Sequence, residues 1–119
     1  MAKTSKINLK TILWLAFGLR LILVLISGWH PDLPNHTDWG NRFLIYGSRY
    51  FYEHSIWGVS WPNQPFGSIL LFALIAVIHK FLFNFILFLN HTIPIFPSFI
   101  VPILETNLHP WLVKLPFIL

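Results

Sequence analysis

Two long apolar runs constrain this chain more than anything else in it. The first, NLKTILWLAFGLRLILVLISGW, extends from Asn8 to Trp29, and only Gly18 and Arg20 interrupt it between Ile12 and Ile26. As a helix rising 1.5 Å per residue it reaches roughly 33 Å, enough to cross a bilayer core of about 30 Å. The second, FGSILLFALIAVIHKFLFNFILFL, extends from Phe66 to Leu89, is unbroken from Ile69 to Ile78, and then meets His79 and Lys80. Composition agrees: 55% of the residues are hydrophobic and 10% are charged, where a soluble domain carries about 25% charged residues. Mean hydropathy is +0.65. The chain reads as an integral membrane protein.

Charge sets the orientation. Lys3, Lys6 and Lys10 precede the first run, while the segment between the runs carries Arg42 and Arg49 against Asp32, Asp38 and Glu53. The positive-inside rule places the N-terminus in the cytoplasm and this loop outside. A cleaved signal peptide fits less well, because Arg20 splits the apolar region and no small-x-small site follows. A guanidinium in mid-span costs roughly 2.5–3.5 kcal/mol. Arg20 therefore either faces protein, water or lipid phosphate, or snorkels to the outer interface. Lys80 and Asn84 share a helical face. Either the second span tilts so that Lys80 snorkels at the far interface, or Lys80 is paired inside a larger bundle.

The expected fold is an all-α membrane protein. It has two transmembrane helices and the start of a third, with short amphipathic interfacial helices in the first external loop. The segments are a cytoplasmic tail (1–10), a first span (11–29), an external aromatic-rich loop (30–65), a second span (66–89), a proline-rich interfacial segment (90–111) and the start of a third span (112–119). Pro94, Pro97, Pro102, Pro110 and Pro116 punctuate the last third, and residues 97–107 are expected to form a short helix on the membrane surface. The final apolar segment stops after eight residues, so the chain is expected to be the N-terminal piece of a larger membrane protein.

Several functions are excluded or unsupported. There is no cysteine, hence no disulfide, thiolate metal site or cysteine nucleophile. The net charge of +4 is scattered without a basic stripe, which argues against nucleic acid. HExxH, GxSxG and Walker patterns do not occur. The six histidines form no metal pattern; His36 beside Asp38 is the nearest thing to a ligand pair.

The external loop is the unusual part. Between Trp29 and Pro65 lie nine aromatic residues, including every tyrosine of the chain. Rings with a polar tip favour the headgroup region, so the loop is expected to lie along the bilayer. Thr37 can cap a helix with Asp38 in its first turn. Trp39, Phe43 and Tyr46 then recur as an apolar stripe for the interface. Asp38, Asn41 and Arg42 share the polar side, and Gly47 is the expected stop. Two readings remain open on spacing alone. The helix is one wall of an active site, or it is a structural amphipathic helix whose Asp38–Arg42 pair is worth a few tenths of a kcal/mol.

Three motifs together resemble the N-terminus of GT-C type membrane glycosyltransferases, the mannosyltransferase-like enzymes that use polyprenyl-phosphate sugars. They are Leu19-Arg20 in a span followed by an outside loop with an acid, HTDWGNRF; the proline-bearing SWPNQPFGSILLF at the foot of the second span; and Lys114-Leu115-Pro116 opening a third. The stretch from Leu19 to Phe72 looks most like uncharacterised bacterial members. It departs from them at Gln64-Pro65-Phe66, where such loops often carry a Pro-Pro pair. The resemblance covers only the first fifth to quarter of such an architecture.

What it implies is inverting transfer of a sugar from a polyprenyl-phosphate donor, in a bacterial cytoplasmic membrane. Asp38 takes the role of catalytic base by position, with Asp32 as runner-up. A base must be able to accept a proton, and a guanidinium held against it would favour the charged form. The resemblance therefore implies that Arg42 contacts donor phosphate, which its planar fork suits, rather than pairing tightly with Asp38. His36 and Asn41 flank it as substrate contacts. Asn63 and Gln64 either hydrogen-bond sugar or phosphate or shape the turn into the second span. No cofactor is implied, a divalent cation in the parent stays open, and the piece alone is expected to be inactive. The competing readings are a small non-catalytic membrane subunit or assembly protein, and a transporter fragment using Arg20, His79 and Lys80.

Overall fold

The computed structural model describes residues 8–26, 31–53 and 61–117. Trp29, Trp57, the lysines at positions 3 and 6 and the last two residues of the expected third span lie outside them. All secondary structure among the described residues is helical: α1 (Leu9–Leu25), α2 (Asp32–Tyr50), α3 (Phe66–Thr92) and α4 (Ile100–Lys114), followed by a single 3-10 turn at Leu115–Phe117.

α1 begins where Asn8 caps it, the side-chain oxygen accepting from the Lys10 N–H at 3.2 Å. This satisfies one of the N–H groups that the first turn leaves unpaired. The helix is apolar on every side and buries only Val24 among its described residues. Leu13, Trp14 and Leu15 are each 60% exposed or more.

α2 starts six residues earlier than the Thr37 cap expected from the sequence. Pro31 stands at its N-cap, Asp32 is its first residue, and Pro34 lies in its first turn. Proline is tolerated there because first-turn N–H groups have no intrahelical acceptor. Asp32 is favourable beside the positive end of the helix dipole. The two prolines at 31 and 34 therefore open a helix. Thr37 is interior, and its hydroxyl donates to the Pro34 carbonyl at 2.8 Å. The expected stop at Gly47 is present as a sharp break, with φ 68° and ψ 176° inside the helix. That backbone region is open to glycine and costly for residues with a Cβ. Gly47→Ala is expected to lose about 1–2 kcal/mol, measured as a lower unfolding midpoint in detergent, even though no atom lies within 4 Å of the added methyl group.

α3 is the one helix among the described residues that is long and apolar enough to cross a membrane. Its 27 residues reach about 40 Å, longer than a bilayer core, so a spanning α3 would tilt. His79 and Lys80 fall at its midpoint rather than near an end. α4 runs through residues 111 and 112 without interruption. It carries Pro102 in its first turn and Pro110 inside, and it extends well past the short surface helix expected over residues 97–107. In its second turn the Thr106 hydroxyl donates to the carbonyls of Pro102 and Ile103 at 3.1 and 3.2 Å.

The core lies where α2, α3 and α4 meet, and Trp39, Phe51, Ile69, Phe72, Ile75 and Val113 form it. α2 crosses the first half of α3. Gly40 is the contact point: a Cβ there would strike the Phe72 carbonyl and lie 2.8 Å from its carbon. Small residues on the facing helix, Ala73 and Ala76, are buried nearby and permit the same closeness.

Candidate functional site

The helical spacing that gathers Trp39, Phe43 and Tyr46 on one face is present, but Trp39 and Phe43 on that face pack inward. Trp39 is 3% exposed and its ring lies 6.4 Å from that of Phe72. Phe43 meets Phe51 and Phe66 edge-on at 5.7 and 5.9 Å. These rings form the seam between α2 and α3 rather than a floor on lipid. Periodicity identifies an apolar face; it does not say whether protein or lipid covers it.

Arg42 follows the same turn inward and is 1% exposed. Its Nε donates to Asp38 Oδ2 at 2.8 Å, one helical turn back, and the Asp38 side chain remains 32% exposed. The tight pair replaces the separation of Arg42 from Asp38 that the resemblance implied. Its weight also differs from that of a surface pair. A buried guanidinium depends on its carboxylate, whereas an exposed one can turn to water. The arrangement fixes the carboxylate on one oxygen and leaves part of it open to whatever lies outside α2.

The other expected site residues are distributed around this pair. Asn41 turns back on its own helix, Nδ2 donating to the Thr37 carbonyl at 3.1 Å. The His36 ring stacks on Phe72 at 4.5 Å and lies 6.3 Å from Phe117, so it joins α2 to α3 and to the 3-10 turn. Gln64 meets the loop through its backbone, its carbonyl accepting from the Tyr52 hydroxyl at 3.5 Å. Asn63 is exposed just before α3. Asp32 is exposed in the first turn of α2. Of this set, Asp38 and Arg42 are joined side chain to side chain. No group of three histidine or acidic residues able to hold a metal ion occurs among the described residues.

The structure adds features that the sequence reading did not single out. His109, 7% exposed, stacks on His79 at 4.5 Å with the rings 10° from parallel. The Nε2 atoms of both are buried without a hydrogen-bond partner among the described residues. Lys114 Nζ donates to the Ile26 carbonyl at 3.0 Å, across 88 residues of chain, and so ties α4 to the end of α1. Arg20 lines an apolar cavity beside Lys114. A hint existed for Gly40, which interrupts the aromatic stripe at a point of small side-chain volume. None existed for contacts between segments so far apart.

Comparison with protein-family models, with curated proteins and with solved structures finds no match for this chain.

Proposed function

We propose that this chain is the N-terminal portion of an integral membrane glycosyltransferase that moves a sugar from a polyprenyl-phosphate donor to an acceptor hydroxyl with inversion. The observation that carries the reading is the Asp38 carboxylate, held at 2.8 Å by a buried arginine and still about one-third exposed. It supports a role in which one carboxylate oxygen is fixed and the group stays reachable, and it departs from the unpaired carboxylate that the resemblance implies for a base. Asp38 takes the proton of the acceptor hydroxyl as that oxygen attacks the anomeric carbon. The bond from that carbon to the phosphate oxygen breaks on the opposite side, and polyprenyl phosphate departs. Arg42 acts as a positioning residue for Asp38 instead of a donor-phosphate contact. α1 and α3 are the two spans in this reading, and α2 is the external helix between them.

The test uses the full-length parent in membranes, with labelled sugar on polyprenyl phosphate. Asp38→Asn is expected to reduce transfer by roughly 100-fold or more, the scale of losing a general base. The paired variant Asp38→Asn/Arg42→Gln removes both charges of the pair, and is expected to restore folding without restoring transfer. Wild-type-like transfer by either variant removes Asp38 from the base role. One observation favours a second reading, a non-catalytic membrane subunit: the other described residues leave most of the apolar surface of α1 uncovered, as a helix that packs on a partner would be. A stop codon directly after position 119 in the gene supports that reading, and an open frame continuing into further apolar segments supports the transferase.

A further inference from the structure

The middle of α3 meets α4 through two imidazoles. His79 is half-buried and His109 is buried. Their rings lie face to face, 4.5 Å apart between centroids and 10° from parallel. Phe83, one turn on from His79, extends the stack at 6.0 Å. A neutral imidazole has one N–H and one lone pair, while an imidazolium donates from both nitrogens. Neither Nε2 finds a partner among the described residues, so a proton placed there would have no acceptor.

The charges around the stack work against a second cation. Two charged rings at this separation would repel each other. Burial first, then His79 and Lys80, hold the His109 imidazole down to about 4 from an ordinary 6.5. On α4 the nearest acid in sequence is Glu105, one turn before His109; it is exposed and makes no ion pair with either ring. The described residues of α1 and α2 contribute no group to the His109 shift. α4 is also weakest at this point. Pro110 follows His109 directly and lies inside the helix. It has no N–H for the Thr106 carbonyl, so the helix lacks a bond just where the stack holds it. The Thr106 hydroxyl meanwhile bonds back to the carbonyls of Pro102 and Ile103, a pattern that bends helices.

We propose that the His79–His109 stack is an acid-operated latch: with both rings neutral it holds α4 against α3, and on protonation α4 swings away about Pro110. Proton binding sets the direction. Out of the seam His109 takes its proton at an ordinary 6.5, and in the seam only near 4. Between those values the open form carries the extra proton. The closed form is therefore fully favoured above about 6.5 and loses ground as pH falls toward about 4. Each proton taken up moves the opening equilibrium by up to about tenfold per pH unit. The latch needs neither Asp38 nor a sugar donor, and so stands apart from the transferase reading.

The chain has no cysteine, so a pair can be introduced for nitroxide labels without background. Phe81 on α3 and Ile103 on α4 are both exposed. Pulsed electron paramagnetic resonance of the full chain carrying Phe81→Cys and Ile103→Cys, in detergent, is expected to give one distance at neutral pH. A second, longer distance is expected to grow as pH falls from about 6.5 to about 4. Adding His79→Phe and His109→Phe keeps two flat rings in the seam and removes both proton sites. This variant is expected to hold the short distance at every pH, whereas Glu105→Gln is expected to keep the acid response. A single short distance across the whole range in the labelled chain overturns the proposal, as does a longer distance that grows as pH rises. Acid opening that survives the double phenylalanine variant, or that disappears with Glu105→Gln, overturns it in favour of a carboxylate. Where circular dichroism shows the double variant unfolded, His79→Phe alone is read: its opening is expected to depend less steeply on pH, and an unchanged slope overturns the latch.

Discussion

Replacing Asp38 by alanine is expected to lower the unfolding free energy by about 3–5 kcal/mol, the range for removing one partner of a buried pair. The reason lies with its partner. Arg42 is 1% exposed and Asp38 is 32% exposed, so the two halves of the pair are not equivalent. Without Asp38 the buried guanidinium loses the carboxylate that its Nε meets at 2.8 Å. Without Arg42 the carboxylate keeps its access to solvent. Arg42→Met is therefore expected to cost less than Asp38→Ala, although it also forfeits the packing of the arginine stem. The double variant Asp38→Ala/Arg42→Met is expected to recover most of the loss, because apolar replacement of a whole buried pair is often neutral. Denaturant unfolding of the four proteins in one detergent closes the cycle. Equal costs for the two single variants would show that Arg42 reaches solvent and that the pair is an ordinary surface one.

The second large effect is expected at Gly40. A methyl group there meets the Phe72 carbonyl and the Ala73 nitrogen, 3.4 Å away. Both are helix backbone, and neither can swing aside as a side-chain tip would. Gly40→Ala must therefore move α2 off α3, and the expected cost is about 1–3 kcal/mol from overpacking. Gly40→Leu is expected to cost more and to expose Trp39, visible as a red shift in its emission. Gly18→Ala in α1 is the control, since nothing lies within 4 Å of the added group. There alanine is expected to be neutral or stabilising by about 0.5–1 kcal/mol, because it is the better helix former. A Gly40→Ala protein as stable as Gly18→Ala would contradict the close approach of α2 and α3.

The two predictions bear on function together. Gly40 sets how deeply α2 lies against α3, and that depth buries Arg42. The buried Arg42 in turn holds the carboxylate. Variants at Gly40 should thus lose the geometry of Asp38 without touching it. In the transferase reading they are expected to reduce transfer in proportion to the loss of folded protein, whereas Asp38→Asn/Arg42→Gln loses transfer while remaining folded.

Much of the architecture was legible from the sequence, and particular residues show why. The unbroken run from Ile69 to Ile78 announces α3, because apolar residues in such number are helical wherever water is excluded. Gly47 announces a break because no other residue enters that backbone region cheaply. The i,i+4 spacing announces that Asp38 and Arg42 can touch. All three are local: each follows from residues within a few turns of one another. The start of α2 was misplaced for a local reason too: Thr37 has a capping side chain, but a first turn also tolerates Pro34, so the helix begins before both. The inward turn of Trp39, Phe43 and Arg42 was not local. An apolar stripe is the same sequence whether lipid or α3 covers it, and only the close approach at Gly40 decides between them.

By itself, then, the sequence determined the long apolar helix α3, the break at Gly47 and the possibility of an Asp38–Arg42 pair, because those depend on backbone preference and short-range spacing. Tertiary structure alone decided that Arg42 is buried, that His79 meets His109, and that Lys114 closes on the end of α1. Those outcomes depend on which faces exclude one another's solvent across long stretches of chain. No residue carries that information until its distant neighbour is in place.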